Sequence, residues 1–117
     1  MDVEQRLLNL LGLARKAGKL QWGKDTVIRS LLRSEAKLVL TASDFSPNAA
    51  SRIKRLCTDR NCRYLPLVAT QEDLARRLGV LTGVLTVTDI GFATSMQSLA
   101  DTRRDEPATR KDDRNDQ

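Results

Sequence analysis

Lys37-Leu38-Val39-Leu40-Thr41-Ala42-Ser43-Asp44-Phe45-Ser46-Pro47 is the stretch that decides the fold. Leu38-Val39-Leu40 is short, apolar on both faces and bounded by charge, as expected of a central strand covered on each side. The strand ends in Ala42-Ser43-Asp44. Ser46 then stands directly before Pro47, a capping hydroxyl followed by the residue whose missing N–H does no harm at the start of a helix. Ala50, Ile53, Leu56 and Cys57 carry an apolar stripe onward from that start. A buried strand feeding into an amphipathic helix through a short turn is the unit from which α/β domains are built.

The same unit repeats on both sides. Upstream, Val3, Leu7, Leu10, Leu11 and Ala14 share a helical face, Asp2 with Gln5 has the spacing of a capping box, and Gly18 supplies a stop. Lys19 to Trp22 reads as extended, Gly23 breaks it, and a second helix begins near Asp25 with Val27, Ile28, Leu31 and Leu32 inward. Downstream, Arg63 to Val68 is extended, and Pro66 within it argues for a sheet edge or a bulge. Thr70 and Asp73 open a short helix over Leu74 to Leu78 that Gly79 closes. Gly83 to Thr88 forms the last strand, and Phe92, Met96 and Leu99 mark a final helix. Five helices alternating with four strands predict a three-layer α/β/α sandwich around a four-stranded mixed, largely parallel sheet. Residues 1–100 form its single domain. The segment 101–117 has one apolar residue, Ala108, amid mixed charge, and is expected to be a disordered tail because it has nothing to bury against its ordering entropy.

Charge narrows the function. The chain of 117 residues carries 20 Lys or Arg and 15 Asp or Glu, a net charge of +5. Segment 101–117 holds six acidic and five basic residues and contributes −1, which leaves +6 on the first hundred. Such a balance suits a protein that meets a polyanion, of which nucleic acid is the commonest. There is no histidine, so the usual near-neutral proton shuttle and the Ser/His or Cys/His nucleophile pair are both missing. No glycine-rich phosphate loop or dinucleotide fingerprint is present either, and an enzyme is not expected. Cys57 and Cys62 are the only cysteines, too few for a Cys/His zinc site, and read as two reduced thiols. No cofactor or metal is expected. No apolar run approaches a membrane span and the start lacks a leader pattern, which together point to a cytoplasmic protein.

One constellation stands out. Gly23-Lys24-Asp25-Thr26 leads straight into the second helix, with Arg29 one turn inside it. Free backbone N–H groups and the positive end of the helix dipole make an anion site there, with Lys24 and Arg29 beside them. Asp25 is also a candidate cap for the helix. A carboxylate accepts from guanine N–H donors and a guanidinium donates to guanine acceptors, so Asp25 and Arg29 are suited to reading a base. Lys16 and Lys19, close by in sequence, are candidate phosphate contacts, as is Arg15. Trp22 is expected to pack in the core, since one Trp, one Tyr and two Phe do not make a stacking platform.

Three stretches carry a family resemblance: Leu10-Leu11-Gly12-Leu13-Ala14-Arg15-Lys16-Ala17-Gly18-Lys19-Leu20, Gly23 to Arg29, and Lys37 to Asp44. With Cys57-Thr58-Asp59-Arg60-Asn61, Leu74 to Gly79 and Val87 to Ala93, they resemble the bacterial, YlxQ-like branch of the ribosomal protein L7Ae family over about residues 7 to 99. The resemblance implies binding to kink-turn RNA, in which the loop opening the second helix reads tandem sheared G·A pairs. Members that bind tightly carry Asn-Glu where Asp25-Thr26 stand and lysine where Arg29 stands. The resemblance implies a second contact through the loop before the last strand, Val80-Leu81-Thr82-Gly83. There an aliphatic side chain, Leu81, packs on an extruded base and a small residue, Gly83, lets the backbone approach. The partners so implied are structured RNA, a kink-turn or ribosomal RNA, and the ribosome, met by a monomer. The other reading is a protein-interaction module, associated with the ribosome or translation factors, that keeps the fold but not the RNA specificity.

Overall fold

Thr41 pairs with Pro66 on one side and Val84 on the other, and this register shows how the chain is threaded. A computed structural model describes residues 2–104, with the backbone alone at 104. Its elements are α1 (Val3–Lys16), β1 (Leu20–Trp22), α2 (Lys24–Leu32), β2 (Leu38–Thr41), α3 (Pro47–Asp59), β3 (Arg63–Pro66), α4 (Gln71–Leu78), β4 (Val84–Val87) and α5 (Ile90–Arg104). The sheet order is β1-β4-β2-β3. β2 and β3 are parallel, whereas β4 runs antiparallel to both β1 and β2. The sheet is therefore mixed, as expected, but not largely parallel, contrary to what the alternation of elements predicts: β2 with β3 is its one parallel pair among the described residues. α4 has eight residues, about 12 Å of helix, and it returns the chain to the rim that β3 has just left. Alternation counts elements without saying which end of the sheet a connection returns to. One rim, called upper here, thus gathers the ends of β1, β2 and β3 and the start of β4.

Strand periodicity splits the core into two. Leu38, Leu40, Leu85 and Val87 face α1, α4 and α5, where Leu7, Leu11, Leu74 and Met96 are buried. Val39 and Val84 face α2 and α3 with Val27, Leu31 and Ile53. β2 is buried along its whole length, as a strand covered on both faces must be. Pro66 sits on the edge strand β3, where a missing N–H leaves no partner unsatisfied. α3 starts at the Ser46-Pro47 signal, with Ser46 Oγ accepting from the Ala49 N–H. α4 has its reciprocal Thr70–Asp73 box and ends at Gly79 with φ 74°. The Thr70 N–H and hydroxyl, with Arg76 beside them, hold the Asp73 carboxyl below its ordinary range. That box therefore helps at neutral pH and loses its contribution as pH falls through the lowered value.

The C-terminal boundary shifts. α5 continues four residues past Ala100, because Asp101 pairs with Arg63 at 2.9 Å and Arg103 with Glu4 at 3.1 Å. Composition could not show this, since both ion pairs are tertiary. The expectation of disorder beyond Arg104 lies outside the described residues. A chain stopped after Ala100 is expected to melt about 4 °C or more below the full chain, roughly 1 kcal/mol for two ion pairs and the last helical turn. A chain stopped after Arg104 should match the full chain within about 2 °C. Equal melting of all three by calorimetry would show that the ion pairs contribute nothing.

Candidate nucleic-acid interface

Gly23 joins two loops at the upper rim. Its N–H donates to Thr82 Oγ1 at 3.2 Å and to the Val84 carbonyl at 3.1 Å. The segment opening α2 and the segment before β4 are thereby fixed side by side, though 59 residues separate Gly23 from Thr82. Gly23 holds φ 98°, a left-handed backbone that glycine alone adopts without strain. As the N-cap of α2 it offers no side chain to the helix. By contrast, Asp2, Ser46, Thr70 and Asp89 each cap their helices by accepting a backbone N–H. Among the described residues α2 alone keeps its first-turn N–H groups uncapped, and the positive end of its dipole faces outward.

Asp25 is the second residue of α2 and does not cap it, contrary to its expected part in folding. Lys24, Asp25 and Arg29 are exposed, and Thr26 is half-buried. Asp25 and Arg29 stand four residues apart and so share a helix face. Among the described residues neither is held by a hydrogen bond or ion pair to the protein.

The second loop divides by side chain. Val80 is buried, while Leu81 projects with 83% of its surface exposed. Thr82 is also buried: its hydroxyl accepts from the Gly23 and Val84 N–H groups and donates to the Val84 carbonyl at 2.8 Å. Its side chain is a strut between the loops rather than a group turned toward a ligand. Gly83 lies beneath the Phe45 ring, so close that an added Cβ would stand 2.3 Å from Phe45 Cδ1.

Trp22 departs from its expected burial. The ring is 38% exposed, and the Arg15 guanidinium lies 5.6 Å from its centroid. Arg15 also passes within 3.9 Å of where a Cβ on Gly79 would be, so it bridges β1 to the end of α4. Lys16 and Lys19 belong to the opposite rim: the Lys19 carbonyl accepts from the Thr88 N–H, past the end of β4. Four extended residues, about 13 Å, separate Lys19 from Gly23. The basic residue placed beside the two loops is Arg15, and the signal for it was Trp22 at the tip of a three-residue strand. Among the described residues no three of His, Cys, Asp or Glu converge as a metal site, and no helix is long and apolar enough to cross a membrane.

Known proteins share this framework. The model of the ribosomal protein L7Ae/L30e/S12e/Gadd45 family matches residues 5–97. The RNA-binding protein YlxQ of Bacillus subtilis is 39% identical over 93 residues, spanning 79% of this chain and 92% of that protein. The large ribosomal subunit protein eL8 of Thermoplasma volcanium is 33% identical over 92 residues, 77% of this chain and 75% of its own length. A solved protein of unknown function from Bacillus halodurans superposes with a TM-score of 0.76 at 27% identity, covering 81% of this chain and 96% of that one. The 15.5 kD RNA binding protein of Giardia lamblia shares the fold, with a TM-score of 0.70 at 20% identity, covering 83% of this chain and 89% of its own. With most of its length matched by the family model and by YlxQ proteins, the chain belongs to the L7Ae/L30e/S12e/Gadd45 family, in its YlxQ-like branch.

Proposed function

We propose that this protein binds structured RNA without catalysing a reaction on it, and that its target is a kink-turn or related internal loop in ribosomal RNA. The observation that carries the reading is the hydrogen bonding of Gly23 to Thr82 and Val84, which sets an uncapped helix start beside an exposed leucine. The first-turn N–H groups of α2 and Lys24 take phosphate. Asp25 accepts from the guanine edge that a sheared G·A pair leaves open, and Arg29 donates to it. Leu81 packs on an extruded base, while Arg15 and Trp22 flank the backbone. Thr26 replaces only part of what a glutamate would accept, so the preference among internal loops differs from that of relatives bearing Asn-Glu. Proteins named for RNA binding and for the large ribosomal subunit stand among its relatives, which supports the same reading.

Titrating the protein against a kink-turn duplex and a fully paired duplex of equal length tests this. The kink-turn should bind more tightly, with a log–log salt slope of about −3 to −5 for some four to six neutralised phosphates. Equal affinity for both duplexes overturns the assignment. Arg29→Ala is expected to weaken the kink-turn complex by about 1 to 3 kcal/mol. Folding stability should stay within about 0.5 kcal/mol, because the side chain is exposed and holds nothing. A protein partner recovered from lysate equally well with and without ribonuclease would favour the interaction-module reading.

A further inference from the structure

The lower rim, where β2 and β3 begin, carries a second constellation unrelated to the RNA loops. A concavity of about 380 Å³ opens there, lined by Lys37, Arg60, Arg63, Cys62, Ser34 and Asn61 among others. Three of these are cations. Ser34 and Asn61 are the only non-glycine residues with left-handed φ, 60° and 54°, among the described residues. Both are the left-handed residues that close α2 and α3, so the concavity lies between two helix C-termini.

Cys62 sits at this concavity and Cys57 directly behind it. The Cys62 N–H donates to the Cys57 carbonyl at 2.9 Å. With ordinary covalent dimensions that bond holds the two Cα atoms within about 6.8 Å, inside the span of a disulfide. The Cys62 thiol itself donates to the Arg63 carbonyl at 3.8 Å. Cys57 is buried and Cys62 only half so.

We propose that Cys62 and Cys57 form a thiol–disulfide exchange site that takes a small, carboxylate-bearing disulfide into this basic concavity and closes to an intramolecular Cys57–Cys62 disulfide. The Cys62 thiolate attacks one sulfur of the incoming RSSR, its S–S bond breaks, and RS⁻ leaves. Cys57 then gives its proton to solvent and attacks Cys62 Sγ, expelling the second RS⁻. The protein loses two electrons and two protons, and the incoming disulfide becomes two thiols.

The division of roles follows from the environment. The neighbouring Cys57 thiol, and then the charge of Lys37, lower the Cys62 thiol against the opposing effect of burial. Cys57 is raised, chiefly by the neighbouring Cys62 thiol, then by burial and by the charge on Cys62. Both Cys62 contributions disappear once Cys62 is in a mixed disulfide, which frees Cys57 to ionise as the resolving group. Arg63 is paired with Asp101, while among the described residues Lys37 and Arg60 donate only to the Ser34 and Leu32 carbonyls. Their charges are therefore left to a ligand carboxylate.

The reduced full chain should be treated in turn with oxidised glutathione and with cystamine, a cationic disulfide of similar reactivity. Oxidised glutathione should react at least about tenfold faster, an advantage that salt and Lys37→Gln with Arg60→Gln should erase. Intact mass should show the loss of two hydrogens with no adduct retained, and peptide mapping should place the disulfide between Cys57 and Cys62. Cys57→Ala should trap glutathione on Cys62, and Cys62→Ala should lose the fast reaction. A lasting adduct on the wild-type chain, first labelling at Cys57, or cystamine reacting as fast as oxidised glutathione overturns the proposal. If Cys57→Ala does not fold, the wild-type mass and peptide map still decide it.

Discussion

Gly23→Val is expected to bring the affinity for a kink-turn down to that for a paired duplex, a loss of at least about 3 kcal/mol, or more than a hundredfold. Space is not the reason. A Cβ on Gly23 would meet nothing closer than Thr26 Oγ1 at 3.9 Å. The backbone is the reason: at φ 98° a β-branched residue is strained by about 1 to 3 kcal/mol, and the loop relieves that strain by turning. Turning breaks the hydrogen bonds to Thr82 and Val84 that set α2 against the second loop. The helix N–H groups, Arg29 and Leu81 then no longer converge on one RNA. The strain is smaller than the stability of an ordinary domain, so the variant should fold, and circular dichroism with a melting curve verifies that before binding is measured. Retention of full kink-turn affinity by folded Gly23→Val and by Arg29→Ala would put the RNA site elsewhere on the protein.

Ser46-Pro47, the Thr70–Asp73 box and the run Leu38-Val39-Leu40 were legible because each is a local signal. A hydroxyl before a proline starts a helix whatever lies across the domain, and a strand apolar on both faces has to be covered twice. The direction of β4 was not legible, because it depends on where α4 lays the chain. Gly23 and Arg29 could be picked out as candidates from glycine at a helix start and a cation one turn inside. The strut formed by Thr82 could not, because its partner is distant in sequence. For the same reason Asp25 resembled a cap: the true N-cap, Gly23, leaves no mark beyond being glycine. Trp22 was misplaced because its three-residue strand ends at the rim, where the Arg15 guanidinium rather than the core covers the ring. The helix beyond Ala100 rests on Arg63 and Glu4, which no reading of segment 101–117 contains.

Gly83 has two explanations that a single substitution separates. The family resemblance implies a small residue so that RNA can approach the backbone, whereas the structure sets the Phe45 ring where a side chain would go. The Gly83 backbone is not left-handed, and it leads directly into β4, so valine meets no conformational penalty there. Overpacking is all that remains. Phe45 is half-buried against the Val27, Leu31 and Val39 cluster, and its neighbouring turn is held by the Ala42 N–H donating to the Gly83 carbonyl at 2.9 Å. The ring cannot swing away without opening that side of the core. Gly83→Val is therefore expected to cost about 3 kcal/mol, the upper part of the usual range for overpacking, and to lower the melting temperature by more than about 12 °C. In the double variant with Phe45→Ala the cavity receives the valine, so the two losses should fall short of additivity by at least about 1 kcal/mol. Unchanged stability in Gly83→Val together with lost RNA affinity would instead assign the glycine to the RNA, because only then would the missing side chain matter to the partner and not to Phe45.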